Sequence, residues 1–313
     1  MNCLYVTVGL MWSLALVSSL STSSRLGVTF SPAGLLTPFH LGVASSLRDN
    51  LLISNETALA GSSGGAIVAC TEALSMESEL ILDACTKVAI ECRNRGTFRT
   101  LASALKTQLT SLLPEDSHNV LSSRGADLTI AYQRIWPRIE AVNQREFRSK
   151  ADLIKAVEAS CTIPMYYSGS PFTTLLDGSR AVDGYFTTSA NRFGCPHTNR
   201  EFEIAVCPFD HIMVGLSSNT LVISPRLLME RHGEGDYHNN YYSTLQLAQL
   251  ALAPPQKRDL RGEYAGGMAS TGPCIDEEIA LVYRTLFSAG KRSAEIFLET
   301  NHIYHNNVLR VPD

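Results

Sequence analysis

The stretch that decides the fold reads TALAGSSGGAIVAC and runs from Thr57 to Cys70. It begins as a short apolar strand, turns at small residues and continues as an apolar helix. The turn contains a Gly-x-Ser-x-Gly pattern from Gly61 to Gly65, with Ser63 at its centre. A serine that attacks a carbonyl group must stand exposed at such a turn, and flanking glycines remove the Cβ atoms that would clash there. The pattern therefore predicts Ser63 as a nucleophile.

A second strand-turn-helix unit precedes the serine turn. The pattern predicts a strand from Leu26 to Phe30, a small-residue turn that contains Gly34, and a helix from Phe39 to about Asn50. Backbone N–H groups at a tight turn and at a helix start stabilise an oxyanion. Gly34 would allow substrate to approach closely, and Gly64, at the start of the helix after Ser63, is a further donor. An ordinary connecting loop is the alternative interpretation of the upstream turn.

Length and composition describe a globular chain. Its 313 residues are 45% hydrophobic and 18% charged, enough for one large core, or for one domain with an extension. A net charge of -4 argues against a nucleic-acid-binding protein, whose binding face is basic.

The eight cysteines lie in apolar contexts without the paired spacing of a zinc site, and we interpret them as mostly buried thiols. We expect no metal, no cofactor and no nucleic-acid partner, and we predict no protein partner.

The N-terminal segment differs from the rest of the chain. Leu4 to Leu20 is apolar and ends among serines, as in a secretory signal, but no Lys or Arg precedes Arg25. We interpret residues 1–24 as a targeting or signal segment, with a membrane anchor or an N-terminal element of the fold as alternatives. The expected localisation is membrane-associated, with entry into the secretory pathway or a plastid.

Periodicity predicts the remaining elements. Helices are expected over 66–76, 77–95, 97–113, 150–160, 243–252 and 276–300, and strands over 127–132, 138–147, 202–207 and 221–223. Segments 231–242 and 262–272 have the composition of surface loops. A short strand from Arg180 brings Asp183 into a turn at Gly184, from which a carboxylate can reach a pocket. Asp177 stands in a second Asp-Gly pair, but Val182 makes the better strand end, which favours Asp183.

Four segments in this order resemble the patatin-like phospholipase family, which includes the plant patatins and the adipose triglyceride lipases. They are the strand and turn before Phe39–Ala44, the Gly61–Gly65 turn, the segment Ser160–Pro164, and Val182–Gly184. The resemblance covers roughly Leu26 to Phe209. The run from Phe30 to Leu36 is most similar to the plant and algal, plastid-associated branch.

The resemblance implies an α/β fold, namely a three-layer α/β/α sandwich with a mainly parallel central sheet. It implies a catalytic dyad of Ser63 and Asp183, with Asp183 and Gly184 in the Asp-Gly motif of the family and Gly34 in its oxyanion loop. We accordingly divide the chain into the targeting segment 1–24, a patatin-like catalytic domain over 25–210 and a C-terminal extension over 211–313 whose helices pack on that domain.

The chain departs from the family at three positions. Pro32 and Thr37 stand where the oxyanion loop often has glycine, and Tyr185 follows Gly184 where a second glycine is frequent. Because Pro32 has no N–H to donate, oxyanion stabilisation would rest on Gly34, Leu35 and Gly64. One such donor is worth ~3 kcal/mol of barrier. A catalytically weak or inactive lipid-binding or regulatory protein is therefore the alternative function.

The expected chemistry is ester hydrolysis through an acyl-enzyme, with Asp183 accepting the proton of Ser63. The substrate would be a triacylglycerol, phospholipid or galactolipid at a membrane or lipid-droplet surface, contacted through apolar loops such as 164–172. Acyl transfer to another alcohol is not distinguished from hydrolysis. The rival arrangement is a Ser-His-Asp triad that uses His197 or His211, whereas His40 is expected to be structural.

Overall fold

An eight-stranded mixed sheet forms the centre of the computed structural model, which describes residues 25–216, 221–233, 242–255, 275–301 and 303. Five of the strands run parallel, and three short strands add antiparallel pairs at one side. The strands are β1 (Leu26–Phe30), β2 (Ala58–Ser62), β3 (Leu128–Trp136), β4 (Glu140–Gln144), β5 (Thr173–Thr174), β6 (Arg180–Val182), β7 (Phe202–Val206) and β8 (Leu221–Ile223). Hydrogen-bonded neighbours follow the order β5-β6-β3-β2-β1-β7-β8, in which β6 and β2 adjoin different parts of the same edge of β3, and β4 pairs with the other edge of β3.

The central strand β1 has the composition of a strand that is covered on both faces. Its five residues are all buried, and it pairs in parallel with β2 on one side and β7 on the other. Val28 and Phe30 face a large apolar cluster beneath the helices, while the Thr29 hydroxyl, on the opposite face, donates to the Pro196 carbonyl at 2.7 Å. Such two-sided burial is typical of a parallel sheet inside an α/β domain.

The helices pack mainly over one face of the sheet. They are α1 (Thr37–Asp49), α2 (Gly64–Ala73), α3 (Ser78–Arg95), α4 (Leu101–Leu112), α5 (Ser117–Ser122), α6 (Lys150–Ser160), α7 (Arg226–His232), α8 (Thr244–Leu252) and α9 (Ile275–Thr300). Over the other face, the described layer consists of the single-turn helices Gly184–Thr187 and Ala190–Arg192 and the chain that joins them to β7. The predicted three-layer sandwich around a mainly parallel sheet is confirmed.

The long strand β3 brings two distant strand ends together. Its residues 130–134 pair with β4 on one edge, so β2 and β6 must share the other edge. On that edge Ser62 lies opposite Ala131, and Val182 lies opposite Gln133. Strand β2 runs parallel to β3 and β6 runs antiparallel to it, so their C-terminal ends point at each other. One residue of β3, Tyr132, separates the positions opposite these two ends. The residues that follow each strand therefore meet.

Helix α9 packs backbone to backbone on α1. A Cβ atom at Gly42 would collide with the Phe287 carbonyl, and one at Gly290 with the Phe39 carbonyl, so both positions require glycine. Within the described part of the chain, no helix combines the length and the hydropathy needed to cross a membrane. The predicted segment 1–24 lies outside the described residues.

Most predicted elements are present with small shifts at their ends. Helix α2 begins two residues earlier than predicted, at Gly64, because the glycines of the turn already belong to its first turn. Helices α5 and α7 and strand β5 were not predicted, since each is too short to show a period. Arg231 and His232, which were assigned to a surface loop, end α7, whereas the predicted loop 262–272 lies outside the described residues. Of the six described cysteines, all free, five are buried, as expected.

Candidate active site

Ser63 stands on a strained turn between β2 and α2. Its backbone has φ 52° and ψ -129°, a conformation that side-chain-bearing residues rarely adopt. Both flanking glycines are required by packing, because a Cβ at Gly61 would collide with the Gly65 carbonyl, and one at Gly65 would crowd the Phe30 carbonyl. The structure therefore forms the predicted turn, but Ser63 is only 6% exposed, so the expectation of an exposed serine is wrong and Ser63 faces the cavity that it lines.

Asp183 follows β6 and is held at two points. Its N–H donates to the Thr162 carbonyl at 2.9 Å, and its Oδ1 accepts from the Tyr185 N–H at 2.8 Å. Its Oδ2 is buried and has no hydrogen-bond partner among the described residues. Burial raises the pKa of Asp183 from 3.8 to about 7, although the Tyr185 N–H and the Ser63 hydroxyl both act to lower it. A carboxylate with this pKa can both take up and release a proton near neutral pH.

Gly184 brings Asp183 against the serine turn. A Cβ atom at Gly184 would collide with the Ala131 carbonyl and come within 2.6 Å of the Ser62 Cβ. Only glycine allows β6 to end this close to β2. The structure thus brings together Ser63 and Asp183, 120 residues apart in the sequence, through their shared edge of β3.

The predicted oxyanion residues surround the same site. Gly34, with φ +54°, opens the single-turn helix Gly34–Leu36, and Gly34, Leu35 and Gly64 line one cavity with Ser63. The Leu36 N–H is bonded to the Ala33 carbonyl at 2.9 Å and is not available to substrate. The N–H groups of Gly34, Leu35 and Gly64 are therefore the candidate donors to an oxyanion.

A deep apolar cavity begins at Ser63. It extends between α2, α3 and α4. Ser63, just before α2, and Ile67 and Thr71 on α2 line the cavity at helical spacing, which gives it a reach of about 12 Å from Ser63. The Gly34–Leu36 turn, α8, α9 and the segment after α6 also contribute residues to its lining. Further lining residues are Ile81, Ala84, Cys85, Val88, Leu101, Leu105, Gln108, Leu109, Leu112, Leu113, Cys161, Ile163, Tyr166, Tyr167, Ala251 and Tyr283.

The sequence alone did not reveal this cavity. Apolar residues at helical spacing on α3 and α4 are typical of an ordinary core, and the pattern does not separate side chains that fill the core from those that face a channel. The cavity walls come from helices whose mutual distances are set by the whole fold.

The family model for patatin-like phospholipases matches residues 28–192, a range that includes the Ser63 turn, the Gly34 turn and Asp183. The chain belongs to the patatin-like phospholipase family.

Mammalian relatives agree with the family assignment. The patatin-like phospholipase domain-containing protein 2 of Rattus norvegicus is 31% identical over 201 residues, 59% of this chain and 38% of the relative. The omega-hydroxyceramide transacylase of Mus musculus is 29% identical over 168 residues, 51% of this chain and 27% of the relative. The patatin-like phospholipase domain-containing protein 4 of Homo sapiens is 28% identical over 273 residues, 79% of this chain and 95% of the relative. The chain thus spans well under half of the first two relatives.

The departures of this chain from the patatin-like pattern leave the donor set in place. Thr37 donates its hydroxyl to the Gly34 carbonyl at 2.9 Å and so holds the oxyanion turn. Pro32 packs against Gly194 and is not among the residues that line the cavity. Tyr185 contacts Asp183 through its backbone N–H, while its side chain is 43% exposed beside Phe186. A second glycine after Gly184 is therefore not needed for this contact.

Neither histidine of the rival triad lies at the patatin-like site. His197 is exposed, and His211 bonds through Nδ1 to the Ser224 hydroxyl at 2.8 Å. His40 is fully buried in α1, where its Nε2 bonds to the Ser31 carbonyl at 2.9 Å and burial lowers its pKa to about 4. His40 is therefore neutral, which agrees with the predicted structural role. Because neither histidine lines the cavity at Ser63, the structure gives the triad interpretation no support.

The alternative base, Asp177, also lies away from Ser63. It occupies the exposed turn between β5 and β6, where its Oδ1 accepts from the Ser179 N–H at 2.9 Å and from the Ser179 hydroxyl at 2.6 Å. These bonds lower the pKa of Asp177. The choice of Asp183 over Asp177 agrees with this geometry.

Proposed function

We propose that this patatin-like protein is a lipid acyl hydrolase that cleaves carboxylic esters of glycerolipids, with Ser63 as nucleophile and Asp183 as base. One observation carries the proposal: a serine on a strained turn opens onto an apolar channel about 12 Å deep, beside a buried carboxylate whose pKa is about 7. An acyl chain fits the channel chemically, and its ester carbonyl would then lie at Ser63.

The reaction would have two steps. The Ser63 Oγ attacks the ester carbonyl and gives its proton to the free Oδ2 of Asp183, while N–H groups at Gly34, Leu35 and Gly64 stabilise the oxyanion. Asp183 then returns the proton to the departing alcohol, which leaves an acyl-enzyme. Asp183 then takes a proton from water, which attacks the acyl carbonyl, and returns that proton to Ser63 Oγ as the Oγ–acyl bond breaks and the fatty acid leaves.

The cavity and Ser63 relate to the acyl ester of the substrate and not to the rest of the lipid. Triacylglycerols, phospholipids and galactolipids all carry the acyl ester that the channel and Ser63 would accept. We therefore propose the acyl ester as the substrate class and keep triacylglycerol lipase and phospholipase activity as separate outcomes of the test. The plant and algal branch, the targeting role of residues 1–24 and the expected localisation likewise stay predictions.

Access to lipid would be through an apolar rim beside Tyr166, a residue that lines the cavity. Within the segment 164–172, Met165 is 49% exposed, whereas Tyr167 is 1% exposed and belongs to the core. Phe98 packs against Tyr166, and the Tyr166 hydroxyl donates to the Leu252 carbonyl of α8. Met165, Phe98 and Leu252 are thus the exposed apolar groups around Tyr166. Met165→Glu should weaken liposome binding, and unchanged binding would exclude this rim as the contact.

Acyl transfer is a second candidate. The mouse relative is named a transacylase, and the channel that would hold the acyl-enzyme is almost entirely apolar. Such walls hold little water, which favours an alcohol acceptor once one is bound. Adding long-chain alcohols and assaying for esters would separate the two reactions.

The deciding experiment is release of fatty acid from neutral, phospho- and galactolipids by the parent protein, Ser63→Ala and Asp183→Asn. Hydrolysis by the parent alone, on one lipid class, would support the proposal and name the head group. Binding of lipid without hydrolysis in the parent would instead support the lipid-binding alternative.

A further inference from the structure

The end of α6 touches the backbone of both dyad residues. Ser160 is the last residue of the helix, and its hydroxyl accepts the Ser63 N–H at 2.8 Å and donates to the Ala131 carbonyl at 2.6 Å. Two residues later, the Thr162 carbonyl accepts the Asp183 N–H at 2.9 Å. Ser160 and Thr162 are both fully buried. Neither lines the cavity, so neither is placed to touch substrate.

The Ser63 backbone requires such a partner. Its N–H follows the last residue of β2, beyond the paired part of the strand, and its positive φ persists only where neighbouring groups fix it. A buried N–H without a partner would also be costly. The Ser160 hydroxyl satisfies this N–H and ties it to the strand that β2 and β6 share.

We propose that Ser160 is a positioning residue of the reaction, whose hydroxyl fixes the Ser63 backbone so that Oγ faces Asp183 at the mouth of the channel. The inference rests on the proposed function, because it assigns a role within that reaction. The same three-residue segment fixes Asp183 through Thr162, so the spacing of nucleophile and base is set by the end of one helix. It also follows that the Ser63 N–H, being occupied, does not serve the oxyanion.

A purely structural hydroxyl would behave differently. Its loss would lower the free energy of unfolding, but the folded fraction would keep its turnover number. A positioning hydroxyl affects kcat and leaves KM nearly unchanged, since the channel that binds the acyl chain is not altered. The two roles are therefore separable in one kinetic experiment.

The test compares Ser160→Ala, Ser160→Thr and Thr57→Val in the full chain. Thr57 is a matched control, because its hydroxyl is fully buried and donates to the Leu52 carbonyl at 2.9 Å just before the start of β2, at the end opposite Ser63. We expect Ser160→Ala to lower kcat by ~100-fold, as a small misplacement of a reacting group does, with KM within about twofold. Ser160→Thr, which keeps the hydroxyl, should recover most of the rate, and Thr57→Val should lose only stability.

Labelling of Ser63 by a fluorophosphonate gives a second readout. The final extent of labelling measures the fraction of folded protein, and the labelling rate measures the reactivity of Ser63 in that fraction. If Ser160→Ala does not fold, Ser160→Cys is tested in its place. Its labelling rate is expected to lie below that of the parent and above zero. An active parent with Ser160→Ala within twofold in kcat and labelling rate would overturn the positioning role alone. A parent that neither hydrolyses esters nor takes the label would overturn the proposed function together with this inference.

Discussion

Two serines occupy the same kind of position in this sheet. Ser63 follows β2 and precedes α2, and Ser224 follows β8 and comes just before α7. The register places the strand ends at one level, since Gly61 and Val206 both pair with Phe30, and Ile223 pairs with Val206. By side chains alone, Ser224 is the better equipped of the two, because His211 lies at hydrogen-bond distance and Asp210 is next to that histidine.

Their surroundings differ in every other respect. The Ser224 hydroxyl is fully buried, bonds to His211 and accepts the Arg226 N–H at 3.3 Å at the start of α7. Asp210 is engaged by Arg226 at 3.1 Å and not by His211. Ser63 has the strained backbone, the cavity and the carboxylate with an unpartnered oxygen. The proposed reactivity of Ser63 therefore rests on backbone geometry and access, and not on the presence of a histidine.

The largest expected effect separates the two serines directly. Ser63→Ala should lower ester hydrolysis on the order of 10^4-fold or more, because no other group attacks the carbonyl. Ser224→Ala should keep activity within about twofold and cost about 1 kcal/mol of unfolding free energy, through the lost helix-start bond. Hydrolysis of p-nitrophenyl esters and thermal unfolding measure both. Comparable activity loss in the two variants would refute the distinction.

The two aspartates extend the comparison. Asp183→Asn removes the proton acceptor and should lower kcat by about 10^2 to 10^4-fold. Asp210→Asn weakens the contact with Arg226 and should cost about 2 kcal/mol of stability with little change in kcat. Steady-state kinetics on both proteins, each at a temperature where it is folded, provides the measurement. An Asp183→Asn protein with parental kcat would remove the base from the mechanism.

The pH dependence of kcat/KM should be set by the titration of Asp183 and should not depend on His211. Since Asp183 acts unprotonated and its pKa is raised to about 7, kcat/KM should rise with pH through about 7 and then level off. The free energy of unfolding should fall as the pH rises from about 4 to 7, because the folded protein keeps the Asp183 proton in this range while the unfolded chain releases it. Asp183→Asn should flatten that fall. His211→Gln should leave the rate profile in place, and a shifted midpoint would implicate the histidine instead.

The smallest expected effect concerns the channel that Ser63 lines. Ala84 lines it about midway along α3, so Ala84→Phe should narrow it and lower kcat/KM for long acyl chains by about tenfold relative to short ones. Asp83→Phe is the matched control, since Asp83 is exposed on the outer side of the same helix. Rates on esters of increasing chain length show the outcome. An equal loss at every length would indicate distortion of the site and not a blocked channel.

The sequence predicted the parts of the site that depend on local backbone geometry. A serine between glycines at a strand-to-helix turn, and an aspartate between a strand end and a glycine, are each defined within a few residues. Their partnership was taken from the family resemblance, and its physical cause, the shared edge of β3, appears only in the strand register. The order of strands in a sheet is not a local property of the chain.

Two further features were beyond sequence reasoning. Ser160 ends a predicted helix and opens the segment Ser160–Pro164 that carries part of the family resemblance, but neither feature indicates a bond to Ser63. His211 and Ser224 contain the chemistry expected of a triad, yet burial and helix capping make them structural. In both cases the deciding quantity is a distance or an exposed area that the fold sets as a whole.

The shared edge of β3 has a consequence for the order in which this protein gains activity. Ser63 is available early in synthesis, but its carboxylate partner lies 120 residues later and is placed only when β6 docks against β3. Contacts of such sequence separation form late, after the local helices. A nascent or partly folded chain therefore carries the proposed nucleophile without its proposed base, and the proposed hydrolysis would require the closed sheet.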